Sequence, residues 1–148
     1  MSKEAQRVYL TSLMNDRVGD FAFPIALPNQ SFNIPTNTPY GEFHVIAGPR
    51  PVVIAGHGKG KALVRYVGFV QLTIWLPNDK GMKAGALGED IFKKIFQFRQ
   101  GRDEANSTYK FGAQQDFTPQ TKAGWECVVV RVPFQRDTVE EVMIGMQA

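Results

Sequence analysis

The chain has 148 residues, 43% hydrophobic and 21% charged, with 17 basic and 14 acidic side chains for a net charge of +3. That length fits a single domain, residues 1–148, able to bury a core without disulfide or metal staples. The mild, interspersed charge argues against a dedicated nucleic-acid surface. The lone cysteine, Cys127, excludes an internal disulfide framework, and no apolar run reaches membrane-spanning length. The opening MSKEAQRVYL lacks the apolar centre of a signal peptide, so a cytoplasmic site of synthesis is expected.

Residues 2–18 predict a helix. Ser2 suits its cap, Tyr9, Leu10, Leu13 and Met14 form an apolar stripe, and Gly19 ends it. A short edge strand is expected over residues 21–27, restricted by Pro24. Residues 28–39, PNQSFNIPTNTP, have three prolines and no apolar period and read as an extended loop. It is either a passive connector or a partner-contact loop built on Asn29, Phe32 and Ile34, of which Phe32 and Ile34 could instead pin it to the body. Strands are expected over 40–47 and 52–55. A flexible Gly- and Lys-rich hairpin tip, residues 55–62, leads into the next strand.

The stretch from Ala62 to Arg99 organises the rest. Residues 63–76 alternate, with Val64, Tyr66, Gly68, Val70, Leu72, Ile74 and Leu76 on one apolar face. At about 45 Å such a strand exceeds what a small sheet needs. Either Gly68 bends it between two layers or one end projects to meet another chain. Pro77 closes the ladder and a turn follows. A helix then carries the stripe Leu87, Ile91, Ile95 and Phe98, with Gly88, Phe92 and Phe96 beside it and Gly101 as its stop. Short strands are expected at 107–111 and 115–118, and a polar loop at 118–124. Residues 125–134 read as a central strand buried on both faces and ended by Pro133. Residues 137–148 are ambiguous between a mobile tail and a short helix capped by Thr138 and Glu141.

The order Gly56-His57-Gly58-Lys59-Gly60-Lys61-Ala62 invites comparison with a phosphate-binding loop. It is one residue short between glycine and the Gly-Lys pair. Ala62 also stands where a hydroxyl is needed, and a strand rather than a helix follows. Two readings remain: a solvated tip, or a subunit or lumen contact in which His57, Lys59, Lys61 and Arg65 meet acids or passing phosphates. Glu42 and His44 share a strand face, where a surface ion pair is favoured over acid–base chemistry. Two histidines and one cysteine do not make a metal site, and Cys127 among valines reads as a small hydrophobe. No catalytic constellation is present, and no cofactor is expected.

Several patterns together resemble the tail terminator (tail completion) proteins of long-tailed bacteriophages. A helix precedes PIALPNQSF, TPYGEFHVIAG forms an early strand, and a variable tip follows. The apolar strand then passes through P-x-x-x-G to a helix of the form A-x-x-x-x-D-x-I-x-x-x-F, and a closing strand ends in VPFQRD. The resemblance implies an α+β fold: a mixed, mostly antiparallel sheet with an N-terminal helix and one central amphipathic helix packed on it. It also implies a homo-oligomeric ring, six copies by family habit, at the head-proximal end of the tail tube. The ring would stop tube growth and receive the head–tail connector. DNA would pass through the lumen without sequence readout, and neither catalysis nor a cofactor is implied. The alternatives are another neck, connector or minor tail protein, or, from a different class, a small enzyme or ligand-binding domain using His44, Glu42 and the tip. Under the terminator reading, residues 56–65 form the inter-subunit or lumen-facing hairpin.

Overall fold

The computed structural model describes residues 2–56, 58–77 and 82–141. Helix α1 spans Ser2–Asn15 and is followed by a single 3-10 turn, Val18–Asp20, so the helix ends before Gly19. Strands β1 (Ile25–Ala26), β2 (Tyr40–Ala47), β3 (Val52–Gly56) and β4 (Lys61–Pro77) come next, then helix α2 (Met82–Phe96). Strands β5 (Gln100–Arg102), β6 (Thr108–Phe111), β7 (Gln115–Asp116), β8 (Gln120–Lys122) and β9 (Trp125–Glu141) complete the fold.

All strands join one sheet in the order β1-β2-β4-β9-β6-β5, with β3 also on β4 and β7 and β8 also on β9. Among the described residues only β1·β2 is parallel. This is an α+β fold in which a mixed, mostly antiparallel sheet carries two helices. Its spine is the pair β4·β9, 17 residues each and in antiparallel register throughout, from Lys61 opposite Glu141 to Pro77 opposite Trp125.

The spine forms because both strands alternate. Val70, Leu72, Ile74 and Leu76 of β4 and Val128, Val130, Val132 and Phe134 of β9 fall on one face, joined by Phe43 of β2. Both helices cover that face. Leu10 and Met14 of α1 and Phe92, Ile95 and Phe96 of α2 are fully buried there. Each such side chain contributes about 1.5–3 kcal/mol of hydrophobic stabilisation before its ordering entropy is subtracted. A ring stack runs through the cluster: Phe43 lies parallel to Phe96 at 5.8 Å and edge-on to Phe92 at 6.2 Å.

The helix α2 is rotated from its expected setting. It buries Gly85, Gly88, Phe92, Ile95 and Phe96, whereas Leu87 and Phe98 are exposed. The glycines explain the rotation. A Cβ at Gly88 would lie 2.8 Å from the Phe23 ring, and one at Gly85 3.0 Å from Leu76, so the backbone itself is pressed against the sheet. The helix stops at Phe96 rather than at Gly101, which belongs to β5. Phe98 takes the left-handed conformation, with φ 58°.

Other expectations are corrected at strand ends. The 21–27 segment contributes only Ile25–Ala26 as strand, although Phe21 and Phe23 are buried. The polar loop expected at 118–124 contains β8, which pairs with the start of β9. Pro133 does not end β9. Its carbonyl accepts from Gly112 N–H at 2.8 Å in the gap between β7 and β6, where the missing proline N–H has no ladder to break. The strand continues to Glu141, so residues 137–141 are neither tail nor helix; 142–148 lie outside the described residues. Nor is β9 buried on both faces, since Val129 and Arg131 are only half-buried.

Candidate assembly surface

Strand β4 changes partner halfway along. From Gly68 to Trp75 it pairs with β2, and from Ala62 to Arg65 with β3. Between them Gly48-Pro49-Arg50-Pro51 steps the chain outward. Two glycines permit the crossing. Gly48 N–H donates to the Val67 carbonyl at 2.8 Å, and a Cβ at Gly48 would sit 2.6 Å from that oxygen. A Cβ at Gly68 would sit 2.4 Å from the Ile46 carbonyl oxygen. Gly68 therefore does not bend β4 between layers; it lets two backbones touch while β4 runs on.

Beyond the crossing, β3, the start of β4 and the end of β9 form a three-stranded arm. Its middle strand is protected, with Ala62 and Val64 buried. The edge strand β3 is exposed at every position, including Val52 at 57%, Val53 at 61% and Ile54 at 43%. Val67 and Val139 are also exposed. Among the described residues these apolar side chains are only partly covered by their own chain.

Charge pairs stiffen the arm. Arg65 donates two hydrogen bonds to Asp137, at 2.8 and 2.9 Å, across the β4·β9 pair. That guanidinium holds the Asp137 carboxyl below the usual carboxylate range. Tyr66 O–H donates to Glu140 at 2.6 Å. On the helix face the Arg136 guanidinium is buried. It donates to Gln6 at 3.0 Å and lies 4.1 Å over the Tyr66 ring, and its Nη2 has no hydrogen-bond partner among the described residues.

Of the tip residues, Lys59 and Lys61 are exposed, and His57 lies outside the described residues. Arg65 is turned inward to Asp137. The glycines serve turn geometry: Gly58, Lys59 and Gly60 all have φ between 53° and 77°, and Lys61 N–H returns to the Gly58 carbonyl at 3.0 Å. The strand–turn–strand context provides no helix N-terminus for a phosphate.

The 28–39 loop sits at the other end of β4, about 45 Å from the tip at about 3.3 Å per residue. Asn29 is a turn residue with φ 59°. Phe32 packs 5.8 Å from Tyr40, which stacks on Trp75 and meets Trp125 edge-on at 5.6 Å. Ile34 is 63% exposed. The structure thus separates the two predicted contact regions instead of joining them into one site. Val52, Val53, Ile54 and Val139, the apolar surface of the arm, were not singled out from sequence. The signal for the first three was an uncharged VVIAG run beside a glycine-rich turn, and Val139, between Thr138 and Glu140, gave none.

The remaining candidate chemistry disperses. Glu42 does not pair with His44; it accepts the Trp75 indole N–H at 2.7 Å, and His44 is exposed. Burial pushes the Cys127 thiol up, away from the reactive thiolate. Among the described residues no group of three or more His, Cys, Asp or Glu is placed to hold a metal, and no helix is long and apolar enough to cross a membrane.

Comparison with known proteins adds the family. Seven solved chains match. One superposes with a TM-score of 0.71 at 15% identity, covering 95% of this chain and 99% of its own, a likeness that establishes the fold alone. Among curated proteins none matches significantly. A family model described as phage tail terminator protein matches residues 5–134, from the first turns of α1 to the middle of β9. The chain therefore belongs to the phage tail terminator family and is a structural protein of the bacteriophage tail.

Proposed function

We propose that this chain is the terminator itself. Copies close into a ring, six by family resemblance, on the head-proximal end of the tail tube. The ring halts addition of tube subunits and presents the surface on which the head–tail connector docks. DNA passes through the lumen without sequence readout, and assembly takes place in the host bacterial cytoplasm. No catalytic step is involved.

The arm carries this reading. A stable 17-residue strand pair extends past the helix-covered core and ends in an uncharged, exposed edge strand. Such an edge is a liability in a free monomer and useful in an assembly. Ring closure needs two different, complementary surfaces on one chain, and the arm offers a distinct edge on each side. The 28–39 loop, at the opposite end of β4, is the proposed contact for the tube or the connector through Asn29, Phe32 and Ile34.

Tail length in phage lacking this chain tests the proposal. A terminator loss gives headless tails of excess and irregular length. Headless tails of normal length would instead make the protein a connector or neck component.

A further inference from the structure

We propose that neighbouring copies join by strand addition between arms. The outer edge of β3 in one copy pairs, in parallel, with the free end of β9, residues 138–141, in the next. This deepens the ring reading and rests on it.

Three observations carry the inference. First, both edges are open in one chain. Among the described residues β3 pairs only with β4, and β9 loses its second neighbour past Asp137, where β6 ends at Thr108. Beyond that point, among the described residues, β9 pairs with β4 alone, out to Glu141. Second, β3 carries none of the charges or prolines that protect many natural edge strands; its short length and a bulge at Ile54 are the protection it has. Its backbone and its valines are covered together when a strand is added. Third, the two edges suit each other better than themselves. The β9 end carries Glu140 and Glu141, which would face like charges across a β9·β9 contact. The uncharged β3 lies between Arg50 and Lys59.

Symmetry fixes the direction. β3 and β9 both run antiparallel to β4 and so parallel to each other. Rotation about a ring axis preserves strand direction along that axis, so β3 meets the neighbour's β9 in parallel. A two-fold dimer would instead pair β3 with β3 antiparallel. The contact is heterologous and closes on itself, turning separate arms into one continuous sheet around the lumen.

The test is disulfide trapping of full-length chain assembled on tail-tube protein. Ala55→Cys is combined with Val139→Cys, both of which lie on the Leu63 face of the sheet. Within one chain Ala55 and Val139 flank Leu63 on opposite sides. They are therefore about 9.5 Å apart, beyond the reach of about 7 Å for a disulfide. Any bond is then intermolecular. The expected result is a ladder of oxidised multimers ending at the ring number, absent when either added cysteine is left out, with the buried Cys127 common to every variant. In parallel, Val53→Lys, at a site already exposed, keeps the monomer melting temperature and abolishes rings. Normal rings in which the Ala55–Val139 pair does not crosslink, wild-type ring yield from Val53→Lys, or dimers from Val53→Cys alone would each overturn strand addition while leaving the ring in place. Failure of the wild-type chain to form any ring on tube protein would remove the reading beneath it, and this inference with it.

Discussion

At Gly68 a missing side chain decides how two backbones meet. The Ile46 carbonyl oxygen occupies the space a Cβ would need, at 2.4 Å, and the obstacle is backbone rather than a movable side chain. Gly68→Ala should therefore cost about 2–3 kcal/mol in a urea titration. The expected gain in strand rigidity does not offset it. Two carboxylates give opposite pH signatures. Asp137 is held below its ordinary pKa by Arg65. Its contribution is therefore present above the unfolded value of about 3.9 and lost as pH falls through the lower folded value. Asp137→Asn should lower stability by about 1 kcal/mol at pH 6, with the gap closing in strong acid. Glu89 is raised, first by burial and then by Asp116 and Asp90. Its folded state prefers the proton, so stability falls as pH rises from the unfolded value of about 4.3 through the folded one. Glu89→Gln should therefore melt higher than wild type at pH 7 and match it below pH about 4.

At the scale of elements, legibility in the sequence followed burial. Residues 63–76 were readable as a strand because one face meets helices, which imposes the period of two; residues 125–134 were readable from a nearly continuous apolar run, which overstated their burial because only one face is covered. Residues 135–141, QRDTVEE, continue the same strand without that pattern. They run into the arm, where little cover selects for alternation, so no hydrophobic period exists to be read. The helix α2 was readable as a helix but not in its rotation. Large side chains suggested Leu87 and Phe98 as core, while the sheet is met by Gly85 and Gly88, whose contribution is the absence of bulk. The tip expected over residues 55–62 is narrower than that, because Ala55 and Gly56 belong to β3 and Lys61 and Ala62 to β4; Lys59 and Lys61 are exposed. The apolar edge of β3 was missed because five uncharged residues look the same in sequence whether they face a core or solvent. The arm is separable from the core. Deleting residues 56–61 removes the tip turn and the adjoining strand ends and leaves every residue of the helix-covered cluster untouched. Circular dichroism should show a folded monomer, and electron micrographs should show no rings. Normal rings from this deletion would refute the arm's role.

The whole molecule is a helix-covered sheet drawn out at one end into an arm and closed at the other by an aromatic cluster of Phe32, Tyr40, Trp75 and Trp125. Membership in the tail terminator family and an uncovered apolar edge support one reading, in which the surface exists to join copies and their neighbours in the tail. The most direct test is to polymerise tail-tube protein in vitro with rising amounts of the purified chain and measure tube lengths by electron microscopy. The account predicts that mean length falls as the chain is added and that each arrested tube carries a ring at one end. Tube lengths independent of the added chain, with both ends bare, would contradict it.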